Sequence, residues 1–121
     1  MDRVAEDLKV RTKRFLLNVL KFVDILPRNI GAQELSRQLT RAGIGVAGNY
    51  RSSCRAGSHA EFTARLGVVL EEADESELWT EVLEDLGWGD QKMRAWLLDE
   101  SGQLRAICSE GVMTARSKER R

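Results

Sequence analysis

The sequence predicts an all-α domain, an antiparallel up-down-up-down four-helix bundle, and three observations carry that prediction. Proline, a strong breaker of regular structure, occurs once in 121 residues, at Pro27. Alternating runs of β-branched residues, the mark of half-buried strands, are missing. Apolar residues recur instead at three- and four-residue steps in four stretches divided by short breaks. Helices that bury one face against antiparallel neighbours have that pattern.

The first helix is expected over about residues 3–26, with Asp2 as its capping residue. Val4, Leu8, Phe15, Val19, Phe22, Val23 and Leu26 form its stripe. Leu16, Leu17, Leu20 and Ile25 widen that stripe beyond what one partner helix covers. Leu26-Pro27 ends it, because proline pushes the preceding residue out of helical geometry. A polar connection, Arg28 to Gly31, leads to a second helix over about residues 32–55.

At about 100° per residue, Leu35, Leu39, Ala42, Val46 and Ser53 share one face of this second helix, with Asn49 and Tyr50 flanking it. The opposite face collects Arg37, Arg41, Ile44, Gly48, Arg51 and Arg55. The glycines within the helix, Gly45 and Gly48 among them, each cost about 1 kcal/mol relative to alanine. Close approach of another backbone, from a neighbouring helix or a ligand, is the expected compensation.

Ala56-Gly57 breaks this helix, and Ser58-His59-Ala60-Glu61 reads as a capping box for a third helix over about residues 59–86. Its first half turns Phe62, Leu66, Val69 and Ala73 to one side. Its second half turns Leu78, Trp79, Val82, Leu83 and Leu86 to a broader, rotated sector. That drift predicts two sets of neighbours, the protomer's own core and another subunit. Gly87-Trp88-Gly89 is the next break and Asp90 the next cap. A fourth helix over about residues 90–114 carries Met93, Trp96, Leu97, Leu104, Ile107, Cys108 and Val112, and the charged residues 115–121 are expected to fray.

A chain of this length is one domain with a single core. Its formal net charge is +0, so an anion-binding surface must come from segregation of charge rather than excess. Cys54 and Cys108, far apart and without nearby histidines, read as reduced thiols of a cytoplasmic protein, with a disulfide between them as the alternative. Met1-Asp2-Arg3 opens straight into a polar amphipathic pattern, which predicts no signal peptide. No apolar run approaches the ~18 residues of a membrane span, so no membrane partner is expected.

Arg37, Arg41, Arg51 and Arg55 are the candidate nucleic-acid contacts, because the planar guanidinium fork bonds two phosphate oxygens at once. The competing reading pairs the same arginines with Glu72 and Glu75 of the third helix, which share a side with Trp79. Asn49 is expected to bond backbone on a neighbouring helix and fix register, with Tyr50 beside it in the core or stacked on a base. The acidic run Glu71-Glu72-Asp74-Glu75-Glu77 lacks the Glu-x-x-His pairs of a di-metal bundle. The one histidine, His59, sits at a helix start. No nucleophile signature assembles, so no metal, cofactor or catalytic residue is expected.

The order of these residues resembles the bacterial four helix bundle protein family. That family includes proteins encoded in 23S ribosomal RNA intervening sequences and the accessory variability determinant of diversity-generating retroelements. Leu26-Pro27, Leu35-x-x-Gln38-Leu39-x-Arg41-Ala42 and Gly45-Val46-Ala47-Gly48-Asn49-Tyr50-Arg51 carry the likeness. Arg55, Ser58-x-x-Glu61-Phe62, Leu66-Gly67 and Glu72-Ala73-x-Glu75-Ser76-x-x-Trp79 complete it, over roughly residues 8 to 86. The chain departs from the family at Ala42 and Gly45, where serine is usual, at Ser52, where an acid is common, and near Glu71, where a lysine is common. The resemblance implies a four-helix protomer, a ring-like homopentamer and no enzyme activity. In the retroelement members it implies a basic surface that binds RNA or DNA and a reverse transcriptase partner.

Overall fold

The computed structural model describes residues 3–119 and consists of four helices: α1 (Arg3–Val23), α2 (Ile30–Ser53), α3 (His59–Leu86) and α4 (Gln91–Glu119). Each helix packs on its chain neighbours, and α4 returns to α1, while the backbones of the diagonal pairs α1–α3 and α2–α4 stay apart. Short connections and four adjacent pairs make this the antiparallel up-down-up-down bundle that periodicity predicts. Its axis is filled by Phe15, Val19 and Phe22 from α1, Leu39 and Val46 from α2, Val69 and Leu83 from α3, and Leu97 and Leu104 from α4. Each such side chain, fully buried, contributes ~1.5–3 kcal/mol relative to exposure.

The contact between α1 and α4 is the thinnest of the four. It is pinned by Arg11, whose Nε and Nη2 donate to the two oxygens of the buried Glu100 at 3.1 and 2.8 Å. On α4, Arg94 is only 5 % exposed and donates to the Trp88 and Gly89 carbonyls and to Glu84. That one side chain therefore holds the α3–α4 loop closed.

Helix ends differ from the expectations where local hydrogen bonding outweighs composition. The first helix stops at Val23 rather than residue 26, because Ile25 N–H and Leu26 N–H reach back only three residues, to Phe22 and Val23. The second begins at Ile30, not residue 32, because the Asn29 side chain accepts from Ala32 N–H at 2.8 Å and caps the first turn. It closes at Ser53 with Cys54 as its cap, leaving Arg55 in the turn beyond. The Ser58 hydroxyl accepts from Glu61 N–H at 3.1 Å as a capping box requires, but the Glu61 carboxylate returns to Gly57 N–H, at 3.0 Å. That bond, with Arg65 behind it, holds the Glu61 carboxyl below its usual range.

Gly87 ends α3 at a left-handed φ of 68°, the position where a side chain would be strained. At Gly89, also at positive φ, a Cβ would lie 2.5 Å from the Phe22 ring, so the loop lies flat on the core. Asp90 accepts from Met93 N–H and caps α4. The frayed tail expected from residue 115 is instead helical through Glu119. Ala115 is buried, and its carbonyl accepts a 2.9 Å hydrogen bond from His59 Nε2 at the start of α3. The expected Asp2 cap and residues 120 and 121 of the tail lie outside the described residues.

Candidate functional site

Helix α2 divides as its periodicity requires. Leu39, Ala42 and Val46 are fully buried, whereas Arg37, Arg41, Ile44, Gly48 and Arg51, with Arg55 just past the helix, are exposed. The exposed row is not uniform, because its two halves meet different neighbours.

In the N-terminal half the arginines are already paired. Arg37 forms an ion pair with Glu34 one turn back on its own helix. Arg41 reaches across to α3, with Nη1 3.5 Å from Glu72 Oε2 and Nη2 3.3 Å from Glu75 Oε1, and its Nε donates to Gln38. Glu72 lies in the space that Gly45 leaves open. A Cβ at Gly45 would stand 2.6 Å from Glu72 Oε2, so the approach that offsets this glycine is a carboxylate side chain and not a backbone. Glu72 Oε2 is buried and accepts no hydrogen bond. Burial first, then repulsion from Glu75 and Glu71, holds the Glu72 carboxyl above its ordinary range against the pull of Arg41.

Asn49 and Tyr50 face inward beside this pairing. Asn49 Nδ2 donates to the Gly45 carbonyl of its own helix at 2.9 Å, not to a neighbouring helix. Tyr50 is 5 % exposed and its hydroxyl donates to the Ala5 carbonyl of α1 at 3.3 Å, so its ring is packed away from any base. Trp79 packs against the core from α3, with its indole N–H buried and without a hydrogen-bond partner.

The C-terminal half is different. Among the described residues neither Arg51 nor Arg55 enters an ion pair. Arg51 lines a groove between α1 and α2 with Lys9, Lys13, Leu16, Ile44 and Gly48, and no carboxylate lines it. Among the described residues Lys13 enters no ion pair, and Lys9 is held only loosely, 3.7 Å from Glu6. A Cβ at Gly48 would meet nothing within 4 Å. Nothing among the described residues therefore requires a glycine there.

Lys9 and Lys13 are the residues that reading α1 for its apolar stripe overlooks. Their i,i+4 spacing was the available signal, since it places both on one side of the helix.

Cys54 and Cys108 are free thiols lining a second, largely apolar cleft where the start of α1 meets the ends of α2 and α4. Burial pushes the Cys108 thiol up to about 11, which keeps it protonated and unreactive at neutral pH. Among the described residues, no three His, Cys, Asp or Glu side chains are grouped to hold a metal ion. No described helix is long and apolar enough to cross a membrane.

Compared with family models and with curated proteins, the chain matches none. Among solved structures, it shares its fold with a protein of unknown function from the S23 ribosomal protein family of Bacteroides thetaiotaomicron. The TM-score is 0.75 at 21 % identity, over 87 % of this chain and 97 % of that one.

Proposed function

We propose that the protein is a non-enzymatic, self-associating helical adaptor that binds RNA or DNA through the C-terminal half of α2 and the lysines of α1. One observation carries this reading: Lys9, Lys13 and Arg51 line a groove free of carboxylates among the described residues, beside a glycine that none of those residues explains. Arg51 supplies a fork for two phosphate oxygens and Lys13 a point charge. Bare Gly48 admits a sugar-phosphate backbone to contact with the helix, and Ile44, 53 % exposed, offers a surface for the sugar. Arg55 extends the cationic row beyond the helix end, while Arg37 and Arg41 stay occupied by Glu34, Glu72 and Glu75.

The family resemblance extends the reading to a ring-like homopentamer and a reverse transcriptase partner. Binding of labelled RNA and DNA oligonucleotides across a salt series tests the proposal. Each phosphate contact adds about 0.9 to the log–log slope for duplex and about 0.7 for single strands. Arg51→Ala with Lys13→Ala is expected to lower that slope by about 1–2, and a flat salt response in the unaltered protein would sink the idea.

A second reading, a protein-only scaffold, is favoured by the bridge from Arg41 to Glu72 and Glu75. In that version Arg41→Glu lowers the melting temperature without nucleic acid, and the Arg51 groove has no ligand.

A further inference from the structure

The neutral net charge hides a sorting of charge by helix. Helix α3 carries nine carboxylates against one arginine. Helices α1 and α2 together carry nine lysines and arginines against three carboxylates.

The outer ridge of α3 presents Glu71, Asp74, Leu78, Glu81 and Asp85, spaced by three and four residues and all exposed, opposite the buried Val69, Ala73, Thr80 and Leu83. Among the described residues none of those four carboxylates enters an ion pair. The outer ridge of α1 presents Val10, Arg14, Leu17 and Lys21 at the same spacing, opposite the buried Phe15, Val19 and Phe22, and Arg14 and Lys21 are likewise unpaired. Both ridges are apolar at intervals, with Leu17 48 % and Leu78 49 % exposed. The ridges lie on diagonal corners of the bundle, since the α1 and α3 backbones stand across the core from each other.

We infer that the α1 ridge of one copy docks along the α3 ridge of the next, with Leu17 and Leu78 in the contact and Arg14 and Lys21 set against the α3 carboxylates. The inference rests on the self-association proposed above and supplies its surfaces. Charge decides the partner. An α1–α1 or α3–α3 contact would set like charges together, so the interface is heterologous, with a different ridge on each side. A phosphate backbone matches the cations of the α1 ridge but has no use for Val10 and Leu17, whereas a copy of α3 matches both. Because each copy offers the two ridges on opposite corners, association continues head to tail and closes into a ring if the rotation allows. The Arg51 groove faces the α1–α2 side rather than either ridge, so assembly repeats it around the particle.

The test is the mass in solution by light scattering, using pairs of exposed, unpaired residues whose reversal leaves the protomer's melting temperature in place. The unaltered protein is expected well above the 13.6 kDa of one chain. Arg14→Glu with Lys21→Glu, and separately Glu71→Lys with Glu81→Lys, should each fall to the single-chain mass. Mixing the two variants should restore a heavier species, since the unaltered α3 ridge of the first then meets the unaltered α1 ridge of the second. An unaltered protein at 13.6 kDa would overturn the self-association reading itself. An assembly that keeps its mass in both variants, or one that mixing does not restore, would leave self-association standing and overturn these two ridges as its surfaces.

Discussion

The two halves of the exposed face of α2 have the same residue type at the same spacing and opposite electrostatic fates. Around Arg41, a glycine admits a carboxylate from α3 and the guanidinium is shared between Glu72 and Glu75. Around Arg51, a glycine stands open to solvent and the neighbours across the groove are lysines. An arginine stripe read along one helix is therefore not a unit. What each cation does depends on which helix lies beside it: acidic α3 turns Arg41 into a structural tie, and basic α1 leaves Arg51 available to an anion.

The sharpest way to separate the halves is at their glycines. Alanine at Gly48 enters open space and gains helix propensity, so Gly48→Ala should stabilise by about 1 kcal/mol. Alanine at Gly45 meets Glu72 Cγ, Cδ and Oε2 at 2.6–2.8 Å and must displace the whole carboxylate. Both variants gain the same helix propensity, so the overpacking cost of about 1–3 kcal/mol is what separates them in urea unfolding. Equal stabilities would remove the distinction between the halves.

Arg41→Ala comes next, with an expected loss of about 1–2 kcal/mol. The pair is half-exposed on the arginine side and largely buried at Glu72, so it falls between surface and interior ion pairs.

A smaller effect should appear at Glu72 itself. Its pKa lies above the ordinary 4.5 in the folded state, so the protonated form is the better tolerated one. Wild-type stability from this group is full below the ordinary value and is lost as pH rises through the raised one. Glu72→Gln is accordingly expected to melt a few degrees higher than wild type at pH 7, and the gap should close on acidification below about pH 4. A gap that widens in acid would reverse the sign of this account. The least effect is expected at Arg37, whose partner sits one turn away on the surface. Arg37→Ala should change stability by less than about 0.5 kcal/mol.

Much of this fold was legible in the residues. The breaks at Leu26-Pro27, Ala56-Gly57 and Gly87-Trp88-Gly89 place three loops, and the three- and four-residue apolar steps identify the buried faces. Helix ends were harder to read, because side chains set them. Asn29 caps α2 from within what composition marks as a loop, and the end of α4 is held by His59, fifty-six residues earlier in the chain.

The candidate site was legible only as a row of arginines. Its division depends on the register of α2 against α3 and α1. That register brings Glu72 opposite Gly45 and lines the Arg51 groove with Lys9 and Lys13, and no periodicity within one helix contains it. Asn49 illustrates the same point, since its amide finds a carbonyl on its own helix before any neighbour's.

The central claim is that Arg51, and not Arg37, belongs to a nucleic-acid surface. Fluorescence anisotropy with a labelled RNA, comparing Arg51→Ala and Arg37→Ala over a salt series, measures it directly. The account predicts that Arg51→Ala weakens binding and lowers the log–log salt slope by about 0.7–0.9, while Arg37→Ala leaves both unchanged. Equal losses in the two variants, or no salt-dependent binding by the unaltered protein, would contradict it.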